Sequence, residues 1–432
     1  MSDPTPSRPV LQDQPSRERL SVAKALGPGL ITGASDDDPS GIATYSQMGA
    51  QFGFGMLWTL LFSYPLMGAI QDISARIGRV TGRGIAANMR GHYHHWLVYS
   101  VVGIMLVANV ANLAADIGAM GAAAILMLPG SSVFYAILLG VISMVLIVFV
   151  PYHKYVSYLK WLTLALLSYV AVCFVVKIDW SAALLATILP HVEWNKDFIA
   201  GLVAVLGTTI SPYLFFWQAE QEVEDEKKDP LQKPLKRAPE QAAFQIPRIR
   251  LDTYIGMGYS QLVAFFVMLS VAATLHARHI TDIDSAEKAA AALRPIGPMA
   301  SLLFSLGIIG TGLLAVPILA GSAAYGVGEA LKWPVGLERR PLQAKGFYSI
   351  LSGALVVGIA LNFLHVNMIK ALIWSAMLNG ICAGPIMVVM MLMARNRKVM
   401  GQFTISPRLH VLGWVSTIVM LICLVALAWT SL

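Results

Sequence analysis

Charge is what this sequence most lacks. Only 13% of its 432 residues are Asp, Glu, Lys or Arg, whereas a water-soluble domain carries about a quarter. That deficit excludes water as the main solvent of the chain. Cysteine is almost absent as well. Cys173, Cys382 and Cys423 each sit inside an apolar run, with neither metal-ligand spacing nor an evident pairing, so they read as helix-packing residues rather than a disulfide framework or zinc module. Met1 to Arg19 is polar and Pro-rich and has no apolar segment of the secretory type. The first apolar span is therefore expected to serve as the membrane address. No phosphate-cradling loop, no His-Glu metal helix and no nucleophile elbow occurs, so the chain is read as a non-enzyme without a cofactor.

What is present is apolar: 56% hydrophobic residues and a mean hydropathy of +0.65. A bilayer crossing takes about 20 apolar residues. Eleven runs qualify, at about 24–50, 53–75, 96–127, 132–151, 155–176, 199–219, 253–275, 298–329, 346–365, 369–394 and 410–431. The net charge of +7 invites a nucleic-acid reading, but the basic residues are sorted by membrane side. Of 31 Lys and Arg, all but Lys177, Lys196, Arg278, Lys288, Arg294 and Lys370 fall in alternate segments beginning with the N-terminal one. The positive-inside rule puts those segments in the cytoplasm. The expected protein is thus an all-α, multi-pass protein of the cell (inner) membrane, with a cytoplasmic N-terminus and an outside C-terminus. The lipid bilayer is its partner, nucleic acid is not, and no obligate protein partner is evident. Glu220 to Arg250 reads as a solvated cytoplasmic loop, His92, His94 and His95 as an interfacial loop, and Ile178 to Asp197 as a segment along the outer surface.

Two spans are interrupted at their middles. In the first, Asp36-Asp37-Asp38-Pro39-Ser40-Gly41 stands midway between Lys24 and Ala50. An ionised carboxylate at that depth costs roughly 3 to more than 10 kcal/mol. Pro39 removes a donor and Gly41 loosens the backbone, so the helix is expected to break. In the sixth span Gly207, Thr208, Thr209, Ile210, Ser211 and Pro212 repeat the pattern. Five spans separate the two prolines, which inverts the second half relative to the first. Paired interruptions in inverted halves point to an ion site at the midplane. Asp38 is the candidate charge at that site. A plain capping role is its alternative, although Ser or Asn would cap without burying charge.

These residues resemble the NRAMP family of divalent-metal transporters, over almost the whole chain. The family's first-span motif Asp-Pro-Gly-Asn stands here as Asp38-Pro39-Ser40-Gly41, and its sixth-span Ala, two residues, Met-Pro-His as Thr208, Ser211, Pro212 and Tyr213. The match continues through Gly49-Ala50-Gln51-Phe52-Gly53 and Leu57-Trp58. The resemblance implies a LeuT-type fold of 11 transmembrane helices, an inverted 5+5 repeat plus one helix, with helices 1 and 6 broken at mid-membrane. It divides the chain into a cytoplasmic disordered tail (1–23), a transporter core (24–394, repeats at about 24–176 and 199–394) and a cytoplasmic loop with helix 11 (395–432). It implies metal contacts at Asp38, Gly41, Thr208, Ser211 and, from the polar amide of the tenth span, Asn379.

The departures from the family have a chemical direction. Thioether sulfur favours softer transition metals, and Ser211 in its place leaves only hard oxygen. Magnesium keeps several waters, and the small Gly41, Thr208 and Ser211 leave room for them. The family's third-span acids are replaced by Asn112 and Ala115, and its histidine by Tyr213, which dismantles the proton route. The pattern resembles the NRAMP-related magnesium transporters, which implies magnesium, and also manganese, carried by alternating access without protons. A proton-coupled manganese or iron transporter is the alternative, followed by a non-transporting metal sensor and an organic-cation or amino-acid carrier. Asp116 is displaced by one residue from an acid position, about 100° round a helix, and both a functional and a structural role stand open for it. Asp36 and Asp37 are placed to line a vestibule or draw cations in.

Overall fold

The computed structural model describes residues 28–150, 162–364 and 367–431, and every regular element among them is helical. In chain order they are α1 (Pro28–Asp36), α2 (Pro39–Phe52), α3 (Leu57–Thr81), α4 (Ile85–His92), α5 (His95–Ala124), α6 (Ser132–Phe149), α7 (Leu167–Val175), α8 (Trp180–Ile188) and α9 (Lys196–Thr209). There follow α10 (Pro212–Lys228), α11 (Ala242–Thr274), α12 (Ala286–Ala291), α13 (Ala300–Ala330), α14 (Lys345–Leu361), α15 (Met368–Arg395), α16 (Arg397–Met400) and α17 (Pro407–Ser431). The tail at 1–23, the start of the first run and the first part of the fifth run, 155–161, lie outside the described residues.

Among the described residues, nine helical stretches are long and apolar enough to cross a membrane, and Leu164–Val175 is a shorter apolar helix. The first two expected runs merge into one stretch, Pro39–Thr81, because a 3-10 turn at Gly53–Met56 leads directly from α2 into α3. The outer faces are apolar: Val107, Phe149, Phe174 and Trp429 are all exposed, while Asp36, Asp38, Asn112, Asp116 and Gln218 are buried. This inside-out polarity is that of a chain solvated by lipid and enclosing a polar path.

Close backbone approach sets the positions of the central helices. A Cβ on Gly33 would stand 2.1 Å from the Gly256 carbonyl oxygen, seating α1 on α11. One on Gly207 would stand 2.1 Å from the Ala376 oxygen and 2.5 Å from the Gly380 nitrogen, seating α9 on α15. Small residues at such crossings replace the hydrophobic drive that lipid does not supply.

The structure corrects one expectation of the sequence. Glu220 to Arg250 is not one solvated loop. Helix α10 continues to Lys228, and Glu220, Glu222, Glu224 and Glu226 on it are all buried. Glu222 is ion-paired with Arg248 of α11, and Glu224 accepts from the Tyr325 hydroxyl of α13 at 3.2 Å. Partners from neighbouring helices thus carry a charged sequence into the interior. In the segment 178–197, α8 exposes Leu184, Leu185 and Ile188. His92 ends α4, and the His94 side chain accepts from the Trp96 amide at 3.4 Å.

Candidate metal site

Helix α1 stops at Asp36 and α2 begins at Pro39, leaving Asp37 and Asp38 between them. Pro39 occupies the first helical position, where its missing N–H leaves nothing unsatisfied. Asp38 is extended, with φ −68° and ψ 169°, and its Oδ1 accepts the Gly41 amide at 2.7 Å and the Ser40 hydroxyl at 2.9 Å. That half of the carboxylate caps α2. The other half reaches across the bundle. Oδ2 accepts the Asn112 amide of α5 at 2.9 Å and the Tyr213 hydroxyl of α10 at 3.3 Å. Asn112 is itself held, because its Oδ1 accepts the Ser375 hydroxyl of α15 at 2.7 Å.

The second interruption lies between α9 and α10. Ile210 (φ −116°, ψ 62°) and an extended Ser211 leave the helix, and Pro212 restarts it. The Ser211 hydroxyl donates towards the carbonyls of Gly207, at 2.9 Å, and Thr208, at 2.8 Å. Those are orphan acceptors of the α9 C-terminus. With its proton committed there, the Ser211 oxygen keeps its lone pairs for another ligand.

Gly41 joins the two interruptions. A Cβ on it would stand 3.0 Å from Thr208 Oγ1 and 3.4 Å from Asp38 Oδ1. The structure therefore brings Asp38, Gly41 and Thr208 together, with Ser211 attached through the Thr208 carbonyl. Asn379 lies buried on α15 beside Gly380, at the crossing with α9, and its side-chain oxygen and nitrogen have no partner among the described residues. No hydrogen bond links it to Asp38. Asp36 and Asp37 both accept from the Ser260 hydroxyl, at 2.7 and 3.2 Å. Asp116 is buried on α5 within Coulombic reach of Asp38.

Among the described residues no three His, Cys, Asp or Glu side chains converge to hold a metal ion. An ion here meets one carboxylate and a set of neutral oxygens. A cavity of about 310 Å³ is lined by Pro39, the neighbour of Asp38. Ile42 and Ser46 also line it, as do Asp284 and Glu287 from the segment before α13. The Asp284 carboxyl is held below the usual carboxylate range by its hydrogen bond to Lys288 and by that ammonium charge.

Residues 29–430 match the family model described as Nramp, natural resistance-associated macrophage protein-like. The chain belongs to this family. The divalent metal cation transporter MntH of Granulibacter bethesdensis is 24% identical to this Nramp chain over 429 residues, covering 92% of the chain and 89% of that relative. The MntH of Deinococcus radiodurans is 26% identical over 427 residues, with coverages of 94% and 90%. Among solved structures, the manganese transporter of Eremococcus coleocola, in complex with an aromatic bis-isothiourea substituted compound, superposes with a TM-score of 0.75 at 14% identity, covering 95% of this chain and 87% of that one. Mhp1, a nucleobase-cation-symport-1 family transporter, gives a TM-score of 0.55 at 12% identity, with coverages of 94% and 93%. These two likenesses show the fold, which is the LeuT type. All four proteins are named as transporters, in keeping with the reading of a non-enzyme.

Sequence reasoning placed Asp38, Gly41, Thr208 and Ser211 at the breaks but missed Ser40, Asn112 and Tyr213 as donors to Asp38, and Ser375 as the donor that holds Asn112. Asn112 and Tyr213 stood out only as substitutions. That both replace titratable groups by neutral donors was the signal that they face the same carboxylate.

Proposed function

We propose that this Nramp chain carries divalent metal cations, magnesium and also manganese, across the cell (inner) membrane by alternating access and without coupled protons. The observation that carries the reading is the shell of Asp38: one carboxylate, four neutral donors and no sulfur. Hard cations prefer oxygen, and magnesium retains waters that small neighbours accommodate. Asp38 is the sole full charge on the ion. Gly41 and Thr208 supply carbonyl or water contacts, Ser211 its hydroxyl oxygen, and Asn379 its unpartnered amide. The relatives named divalent metal cation transporters and the manganese transporter support the substrate class. Magnesium rests on Ser211, where the family's sulfur would stand.

The same proposal gives the chain eleven spans, a cytoplasmic N-terminus and an outside C-terminus. The first and sixth spans are the broken helices α1–α2 and α9–α10 at mid-membrane. The transporter core covers 24–394, after a tail at 1–23 and before a loop and last helix at 395–432. Flux of magnesium, manganese and calcium into proteoliposomes tests the reading. Asp38→Ala abolishes divalent flux in a protein that still purifies as a single species, whereas undiminished magnesium flux in that variant rejects the site. The proton-coupled alternative is favoured by one observation, the burial of Asp116 near Asp38. Metal-dependent proton influx that vanishes in Asp116→Asn would select it.

A further inference from the structure

Helices α3 and α11 leave a cavity of about 500 Å³ between their ends, lined by Arg76, Ile246, Pro247, Arg250, Leu251 and Tyr254. Its depth in the membrane follows from the sequence. Arg76 immediately follows the apolar run 53–75, and Arg250 shortly precedes the apolar run 253–275. The cavity therefore sits where hydrocarbon gives way to water. Its lining combines two chemistries: two guanidiniums and a phenol, and the aliphatic Ile246, Leu251 and Pro247.

The charge in the cavity is unbalanced. Asp72, buried behind Arg76, takes two of its N–H groups, Nε at 2.7 Å and a terminal nitrogen at 3.0 Å. A guanidinium has five N–H donors, so Arg76 keeps three. Arg250 is exposed and forms no ion pair among the described residues, although Asp72 lies within its Coulombic reach. Two guanidiniums against one carboxylate leave a single positive charge facing an apolar surface at the membrane boundary. A monoanionic phosphodiester that carries acyl chains complements both features.

We propose that this cavity is a binding site for the headgroup of an anionic phospholipid, with phosphate between Arg76 and Arg250 and an acyl chain along Ile246 and Leu251. The site joins α3 to α11, and α11 is the helix on which α1 is seated, so a bound lipid braces the element whose end carries Asp36.

The test uses the full chain, delipidated in detergent, with phosphatidylglycerol, phosphatidylcholine and inorganic phosphate as probes. Native mass spectrometry and thermal melting are read on the wild type and on Arg250→Gln. Phosphatidylglycerol is expected to form retained adducts and raise the melting temperature of the wild type, with about five-fold weaker binding in Arg250→Gln, as one arginine at the surface supplies. Manganese binding by calorimetry should be the same in both proteins, which shows that the variant is folded and separates this site from Asp38. Equal phosphatidylglycerol binding in the variant, or equal retention of phosphatidylcholine, overturns the proposal. A matching thermal shift with inorganic phosphate alone also overturns it, because the cavity is then an anion site indifferent to lipid.

Discussion

Asp38 accepts four hydrogen bonds, and a carboxylate offers about four acceptor positions. A cation that contacts it directly has to displace a donor. The Tyr213 hydroxyl, at 3.3 Å, makes the longest of the four bonds. Tyr213→Phe removes this competitor without removing charge, and calorimetric titration should show magnesium affinity unchanged or raised a few-fold. A ten-fold loss would make the phenol oxygen a ligand instead. Ser211→Met should move preference from magnesium towards manganese or cadmium, since thioether suits softer ions. It also leaves the Gly207 and Thr208 carbonyls without the serine hydroxyl, so total affinity should fall as well. An unchanged ratio of magnesium to manganese affinity in parallel titrations would place Ser211 away from the ion. At this scale the sequence was legible where a residue broke a local rule, as a mid-membrane Asp38 before Pro39 does. It was silent on Ser375, because a neutral polar residue in a helix gives no sign of which distant side chain it meets.

The elements were legible to the extent that local chemistry decides them. Prolines at the first positions of α2 and α10 mark both restarts. The continuation of α10 to Lys228 was illegible for the opposite reason: its glutamates are stabilised by Arg248 and Tyr325, far away in sequence. Helix crossings allow a sharper test. A Cβ on Gly207 meets the backbone of α15 at 2.1 and 2.5 Å, and backbone cannot step aside as a side chain does. Gly207→Ala should therefore destabilise the protein by about 1–3 kcal/mol through overpacking, visible as a lower melting temperature in detergent. Gly103, on α5, has nothing within 4 Å of its would-be Cβ. Gly103→Ala should be neutral or stabilise by a few tenths to about 1 kcal/mol. Equal effects at the two positions would contradict the tight α9–α15 crossing.

For the whole molecule, the decisive property is what moves with the metal. Asn112 and Tyr213, the groups that touch Asp38 from other helices, do not titrate near neutral pH. In proteoliposomes with a pH-sensitive dye, magnesium or manganese uptake should proceed without a pH gradient and without acidifying the lumen. It should respond to membrane voltage, because two positive charges cross uncompensated. A fixed number of protons per metal would reject this. The same shell bears on the return half of the cycle. A buried carboxylate that releases its ion into a dry site is ordinarily stranded, and a carrier built that way has to reload before it turns over. Here four protein donors, from Ser40, Gly41, Asn112 and Tyr213, satisfy Asp38 from within the bundle, so its partners do not depend on a metal. On the uncoupled reading proposed above, the kinetic consequence is a uniporter, which discharges a gradient in net flow, rather than an obligatory exchanger that trades one metal for another.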